Sequence, residues 1–142
     1  MTDDRPPKRP PIPELPPFGL GYPRTELRRK LVEAVLRGDK IATAGLASEF
    51  APYTEDPLPR TGDRWMMLGY DEEPVAVVET VSANLVAASE VSLQFARDEW
   101  EGFESVADWR AAHDRFWSEH EITDETLILC EYFRVVQRIT DG

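Results

Sequence analysis

Three β-rich stretches constrain this chain more than anything else in it. Arg64–Leu68 is short and leads through a turn at residues 69–73 into residues 75–86, which are long and rich in Val and Thr. Residues 126–139 are longer still, with Leu127, Leu129, Phe133 and Val135 separated by residues such as Glu131 and Arg134. Branched and aromatic side chains suit a pleated, partly buried surface. Parallel neighbours need a crossover of a dozen or more residues, and no crossover helices of regular length separate these strands. The expected fold is therefore α+β: a small mixed β-barrel with flanking helices.

Two segments supply those helices. From Thr25, a capping residue, Leu27, Leu31, Val32, Val35 and Leu36 recur at helical spacing, and Gly38 ends the run in a position suited to the left-handed conformation. Within residues 90–120, Val91, Phe95 and Ala96 predict one or two helical turns. Ser105, with Asp108 in capping-box position, then opens a helix carrying Val106, Trp109, His113, Phe116 and Trp117 on its apolar stripe. Residues 47–63 hold three prolines and no sustained period, the pattern of a long surface loop.

Eight of the twelve prolines fall within residues 1–23. That composition predicts an extended arm over residues 1–23 ahead of one domain over residues 24–142. The arm and first helix are basic: residues 1–37 carry eight Lys and Arg against five acids, which leaves a net −14 on the remainder of a chain whose total is −11. Such a body repels phosphate backbones, so the expected partner is a small nucleoside-type ligand, or an RNA met by a local basic patch. One cysteine excludes an internal disulfide and suits a reducing compartment, and no apolar run is long enough to span a bilayer. The expectation is a cytoplasmic protein without membrane contact.

Two groups carry candidate chemistry. Lys40 and Thr43 stand three apart in the stretch 38–46, where a strand points them to opposite faces unless a twist or bulge intervenes. A desolvated lysine loses its proton readily and can take one from a threonine hydroxyl, making that oxygen a nucleophile. The plainer alternative is a solvated lysine beside a β-forming threonine. Glu99 sits among Asp98, Glu101 and Glu104, and clustered carboxylates raise one another's pKa, favouring a protonated member near neutrality. Its plainer alternative is a solvated acidic turn. His113 and His120 are seven apart, about 10 Å along a helix and too far to share one ion, so neither a metal nor a cofactor is expected. No glycine-rich phosphate loop and no Gly-x-Ser-x-Gly is present.

Several short motifs occur in a fixed order: Gly-x-Lys-x-Ala-Thr ending at Thr43, Pro-x-x-Gly-Asp at residues 59–63, Pro-x-x-x-x-Glu-Thr at residues 74–80, the segment Glu99-Trp100-Glu101-Gly102, Trp109-Arg110-x-x-His113, and a closing Glu131-Tyr132-Phe133. In that order, over roughly residues 25–139, the chain resembles the ASCH-domain family. The resemblance implies a PUA-like fold with a cleft between barrel and helices. Some small bacterial members are amidohydrolases that remove acyl groups from the exocyclic nitrogen of cytidine derivatives; other members are ribonucleases, and the family is similar to RNA-binding domains. In the amidohydrolases a lysine is proton acceptor, a threonine nucleophile and a glutamate proton donor, roles that Lys40, Thr43 and Glu99 match. Arg64, Trp100 and Arg110 are the expected ligand contacts. Trp100 departs from the family, where many long members have glycine, and Ala44 and Gly45 depart from the bulky or basic residue that follows the threonine in the small amidohydrolases. A ribonuclease, in which Lys40 steadies a phosphate, and a non-catalytic module that recognises RNA or a modified base are the alternatives.

Overall fold

The computed structural model of the chain describes residues 15–18 and 26–139. In chain order these form β1 (Pro17–Phe18), α1 (Glu26–Arg37), β2 (Ala42–Leu46), β3 (Arg64–Leu68), β4 (Pro74–Ala87), α2 (Leu93–Asp98), α3 (Val106–Phe116) and β5 (Leu127–Arg138), with 3-10 turns at Ala47–Glu49 and Ala88–Glu90. The five strands make one sheet in the order β1-β3-β4-β5-β2. It is mixed because β1 runs parallel to β3, while β3–β4, β4–β5 and β2–β5 are antiparallel. Register shifts at Met67/Leu68, Val77/Val78 and Thr80/Ser82 bend the long strands, and the sheet curls into a half-barrel. The fold is α+β, as expected. Thr25 and most of the proline-rich arm lie outside the described residues. The described end of the arm joins the sheet, and its Phe18 is packed in the core.

Helix α1 covers one face of the sheet. Leu31, Val32 and Val35 pack with Met67, Ala76, Val78 and Phe133, and Phe18 closes the cluster. A 12-residue helix is marginal alone, whereas each such side chain buried contributes about 1.5–3 kcal/mol, so tertiary packing holds α1. The other face carries Ala42, Leu46, Ile128 and Cys130 against Phe95 and Ala96 of α2 and Trp109 of α3. Strand β5 therefore has both faces covered, where the sequence pattern shows one: Ile128 and Cys130 face α2 and α3, and Phe133 faces α1.

Two members of the expected helix stripes are not core residues. Leu27 is 52% exposed because the first turn of α1 overhangs a cleft, while its neighbour Arg28 is buried instead. Phe116 is exposed at the end of α3, and Trp117 takes the buried position one residue on. Among the described residues no helix is long and apolar enough to cross a membrane.

Candidate active site

Lys40 is delivered by the end of α1. Gly38 has φ +85°, a value open to glycine, and the amides of Asp39 and Lys40 both donate to the Ala34 carbonyl, turning the chain inward. The Ile41 amide then donates to the Asp98 carbonyl and ties the approach of β2 to the end of α2. The Lys40 side chain is 2% exposed, and its Nζ donates to the carbonyls of Ala42 and Glu99, each at 2.8 Å. Burial pulls its pKa down, against the raising fields of Glu101 and Glu99. The outcome is an amine that sheds its proton more easily than a surface lysine.

Helix α2 starts at Ser92, whose hydroxyl accepts from the Phe95 amide, and ends at Glu99. The next residue, Trp100, has φ +59°, the left-handed conformation in which helices commonly close on glycine. Here a tryptophan occupies it. Gly102 follows with φ +86°. This tight reversal brings a carboxyl oxygen of Glu101 to within 4.8 Å of the Glu99 carboxylate.

Helix α3, capped by Ser105 through the Asp108 amide, brings Trp109 and His113 to the same carboxylate one turn apart. Trp109 Nε1 donates to Glu99 Oε1 at 2.8 Å, and His113 Nε2 lies 3.4 Å from Glu99 Oε2. His113 Nδ1 sits 2.9 Å from the Trp109 carbonyl, which can only accept, so Nδ1 carries a proton and a second proton is needed wherever Nε2 meets the carboxylate. The imidazole stacks on the Trp109 ring at 4.1 Å between centroids. Burial opposes charge on both partners, yet the pairing prevails: the Glu99 pKa falls and that of His113 rises. Glu101 goes the other way. Burial and its hydrogen bond to Glu99 push it up to about 7, so the carboxyl protonated near neutrality is Glu101.

Two cavities border this cluster. One of ≈ 530 Å³, between α1 and the α2–α3 connection, is lined by Leu27, Lys30, Arg97, Trp100, Glu101 and Phe103, among others. The other, ≈ 370 Å³, is lined by the end of α1, Lys40, Ile41 and the far end of β5. Neither is lined by Thr43 or Glu99. Lys40 and Glu99 meet through the Glu99 carbonyl. Thr43 takes the other face of β2: Ala42, Ala44 and Leu46 pack toward Trp109, and Thr43 lies level with its register partner Glu131. Its hydroxyl makes no hydrogen bond among the described residues. Trp100 lines the larger cavity, 40% exposed, with the Arg37 guanidinium over its ring at 5.2 Å. Arg64 pairs with Glu79, and Arg110 is held by Asp114, Asp124 and the Ile122 carbonyl; neither lines either of these two cavities.

Sequence reasoning treats Glu101 and His113 as background. The signal for both is present: Trp109 and His113 are four apart on one helix face, and Glu101 stands two beyond Glu99 with glycine after it. The metal argument from the His113–His120 spacing also misses what the fold assembles. Glu99, Glu101 and His113 bring one side-chain atom each within 4.8 Å of one another, a grouping that the histidine spacing does not reveal.

A family model described as the ASCH domain matches residues 20–137. No curated protein matches the chain. Among solved structures, an ASCH domain from Lactobacillus crispatus is 28% identical with a TM-score of 0.69, covering 77% of this chain and 72% of that one. A protein from Enterococcus faecalis, assigned to family DUF984, is 25% identical with the same TM-score, covering 80% of this chain and 71% of its own.

Proposed function

The chain belongs to the ASCH-domain family, and on that premise we propose that it hydrolyses the amide of an N4-acylated cytidine-type nucleoside, with Thr43 as nucleophile, Lys40 as proton acceptor and Glu99 in the acid group. The observation that carries this reading is the position of the Lys40 amine. It is desolvated, makes no ion pair among the described residues, and is held between the Glu99 carbonyl and the peptide that joins Ala42 to Thr43. A lysine so held can act as a base near neutral pH. The unpartnered Thr43 hydroxyl adds support. The apolar cleft, with an exposed indole beside a carboxyl, suits a planar base that stacks and exchanges hydrogen bonds.

A non-catalytic module for a modified base is the second reading, and the side on which Thr43 leaves β2, away from Ala42 and Ala44, favours it. Turnover of N4-acetylcytidine and related acyl cytidines decides between them. Wild type is expected to release the free acid, and Thr43→Val and Lys40→Met to lose most of the rate, since members of a catalytic unit act non-additively. Lys40 also ties two buried carbonyls, so its variant is to be compared well below its own melting temperature. Acyl cytidines left intact by concentrated wild type, or cleaved equally fast by Thr43→Val, leave the binding module as the function.

A further inference from the structure

Glu99, Glu101 and His113 are the one group of three His, Cys, Asp or Glu side chains among the described residues whose donor atoms gather within 4.8 Å. They arrive from separate places: Glu99 closes α2, Glu101 follows on the reversal at Trp100, and His113 projects from α3. Glu99 and His113 are 2% and 8% exposed, so the group is interior and not a solvated acidic face.

Two lone pairs meet inside it. The Trp109 carbonyl takes the proton of His113 Nδ1, which leaves the lone pair of the neutral ring on Nε2. Nε2 is aimed at Glu99 Oε2 across 3.4 Å, beyond the roughly 2.7–3.2 Å of an N–H···O bond. Buried lone pairs so placed need a cation between them, either a second proton or a metal ion. The distance favours the metal: bonds of about 2.0–2.1 Å at a tetrahedral angle set neighbouring ligand atoms about 3.3–3.4 Å apart. The supporting contacts agree. A coordinating histidine commonly donates its other ring N–H to a backbone carbonyl, as Nδ1 does to Trp109, and a coordinating carboxylate is held by a donor of its own, as Oε1 is by the Trp109 indole.

We propose that Glu99 Oε2, His113 Nε2 and the Glu101 carboxylate bind one divalent transition-metal ion of the zinc type. A mixed imidazole and carboxylate set at tetrahedral spacing suits zinc, whereas magnesium demands an octahedron and calcium takes roughly six to eight oxygens. Two carboxylates balance the charge of the ion. Glu101 is half-buried and lines the ≈ 530 Å³ cleft, so it is the ligand able to close the remaining gap, and the fourth coordination position is left toward the cleft. The site does not rest on the amidohydrolase reading, because neither Thr43 nor the Lys40 amine belongs to it. A coordinated carboxylate holds no proton, so zinc and acid chemistry at Glu99 exclude each other.

Zinc titration of the intact, untagged chain, stripped with a chelator and read against a chromophoric competitor, tests this. One zinc per chain is expected, with Co²⁺ giving the strong visible bands of tetrahedral coordination and millimolar Mg²⁺ changing neither. In ¹⁵N-labelled chain, zinc should shift the His113 Nε2 resonance and leave exposed His120 in place. Glu101→Gln and His113→Gln should each weaken binding by roughly 100-fold or more, beyond the roughly 10–100-fold that a lost supporting contact costs, while His120→Gln binds as wild type does. Glu101 stands at the open side of the group, so its variant keeps the test decisive where His113→Gln unfolds. No saturable zinc binding, zinc displaced by millimolar Mg²⁺, or binding that survives Glu101→Gln unchanged each overturns the site. Turnover of N4-acetylcytidine by the stripped chain judges the amidohydrolase separately, so either can fail alone.

Discussion

Two glutamates lie buried on opposite faces of the β2–β5 ladder, and they behave in opposite ways. Glu99 and Glu131 are 2% and 6% exposed, and each is connected to a tryptophan indole. Trp109 donates to Glu99 directly; Trp65 donates to the Thr80 hydroxyl, which donates in turn to Glu131. Burial raises the pKa of both. At Glu99 the hydrogen bonds of His113 and Glu101 and the charges of His113 and Lys40 reverse that effect. At Glu131 only the Thr80 hydroxyl pulls down, Asp63 adds to burial, and the pKa stays raised. Partners thus decide charge where burial is equal. A carboxylate that gathers titratable neighbours builds a site, whereas one met only by a hydroxyl inside a sheet is a cross-strand tie.

The largest expected difference between the two is in what their removal costs. Glu99→Ala strands the Trp109 and His113 donors and the Glu101 hydroxyl in a buried space, and breaking such a charged group should cost on the order of 3–5 kcal/mol. Glu131→Ala takes one partner from Thr80, which still accepts from Trp65, and should cost about 1–3 kcal/mol. Urea unfolding at pH 7 measures both. Equal losses, or a larger one at Glu131, remove the distinction between site and tie.

Next comes the pH dependence, where the two should slope oppositely. The folded pKa of Glu99 lies below its ordinary 4.5, so its contribution is present above pH 4.5 and is lost as pH falls through the folded value. That of Glu131 lies above 4.5, so its contribution is complete below pH 4.5 and is lost as pH rises through the folded value. Relative to wild type, Glu99→Gln should therefore lose ground as pH climbs to 4.5, and Glu131→Gln should gain ground above it. Unfolding free energies across pH 3–8 give both slopes, and two slopes of the same sign defeat the comparison.

The Glu131 side was more legible in the sequence than the Glu99 side. Strands 74–87 and 127–138 announce themselves by composition, so Glu131 could be placed on a ladder, although its burial could not, because that needs α1 folded over Phe133. Gly38 and Ser105 mark the helix ends where the structure has them, since caps are local chemistry. Alternation along residues 40–43 already warned that Thr43 faces away from the side that Ala42 presents to Trp109. The acid group was half read. Its carboxylates stand together in sequence, but which one faces the cleft depends on the left-handed reversal at Trp100, and tryptophan gives no hint of that conformation. Arg110 offered a positive charge to a ligand on paper; Asp114, four residues on, and Asp124 take it instead.

The smallest predicted effect concerns that reversal, which has no counterpart beside Glu131 on its regular strand. A non-glycine residue at φ +59° carries backbone strain of roughly 1–2 kcal/mol, and glycine at the same place carries none but leaves a freer unfolded chain. Trp100→Ala and Trp100→Gly both delete the indole, its contact with Arg37 and any stacking on a ligand, so the difference between them isolates the backbone. Trp100→Gly should be the more stable of the pair by about 1 kcal/mol, the reverse of the usual preference for alanine over glycine. Both should bind a cytidine-type ligand about tenfold more weakly than wild type, in line with roughly 1–3 kcal/mol per stacked base. If alanine equals or exceeds glycine in thermal unfolding, the turn is not held in the left-handed conformation. Glu101 then has no fixed place beside Glu99, and the contrast between a site built on strain and a tie built on a strand loses its backbone half.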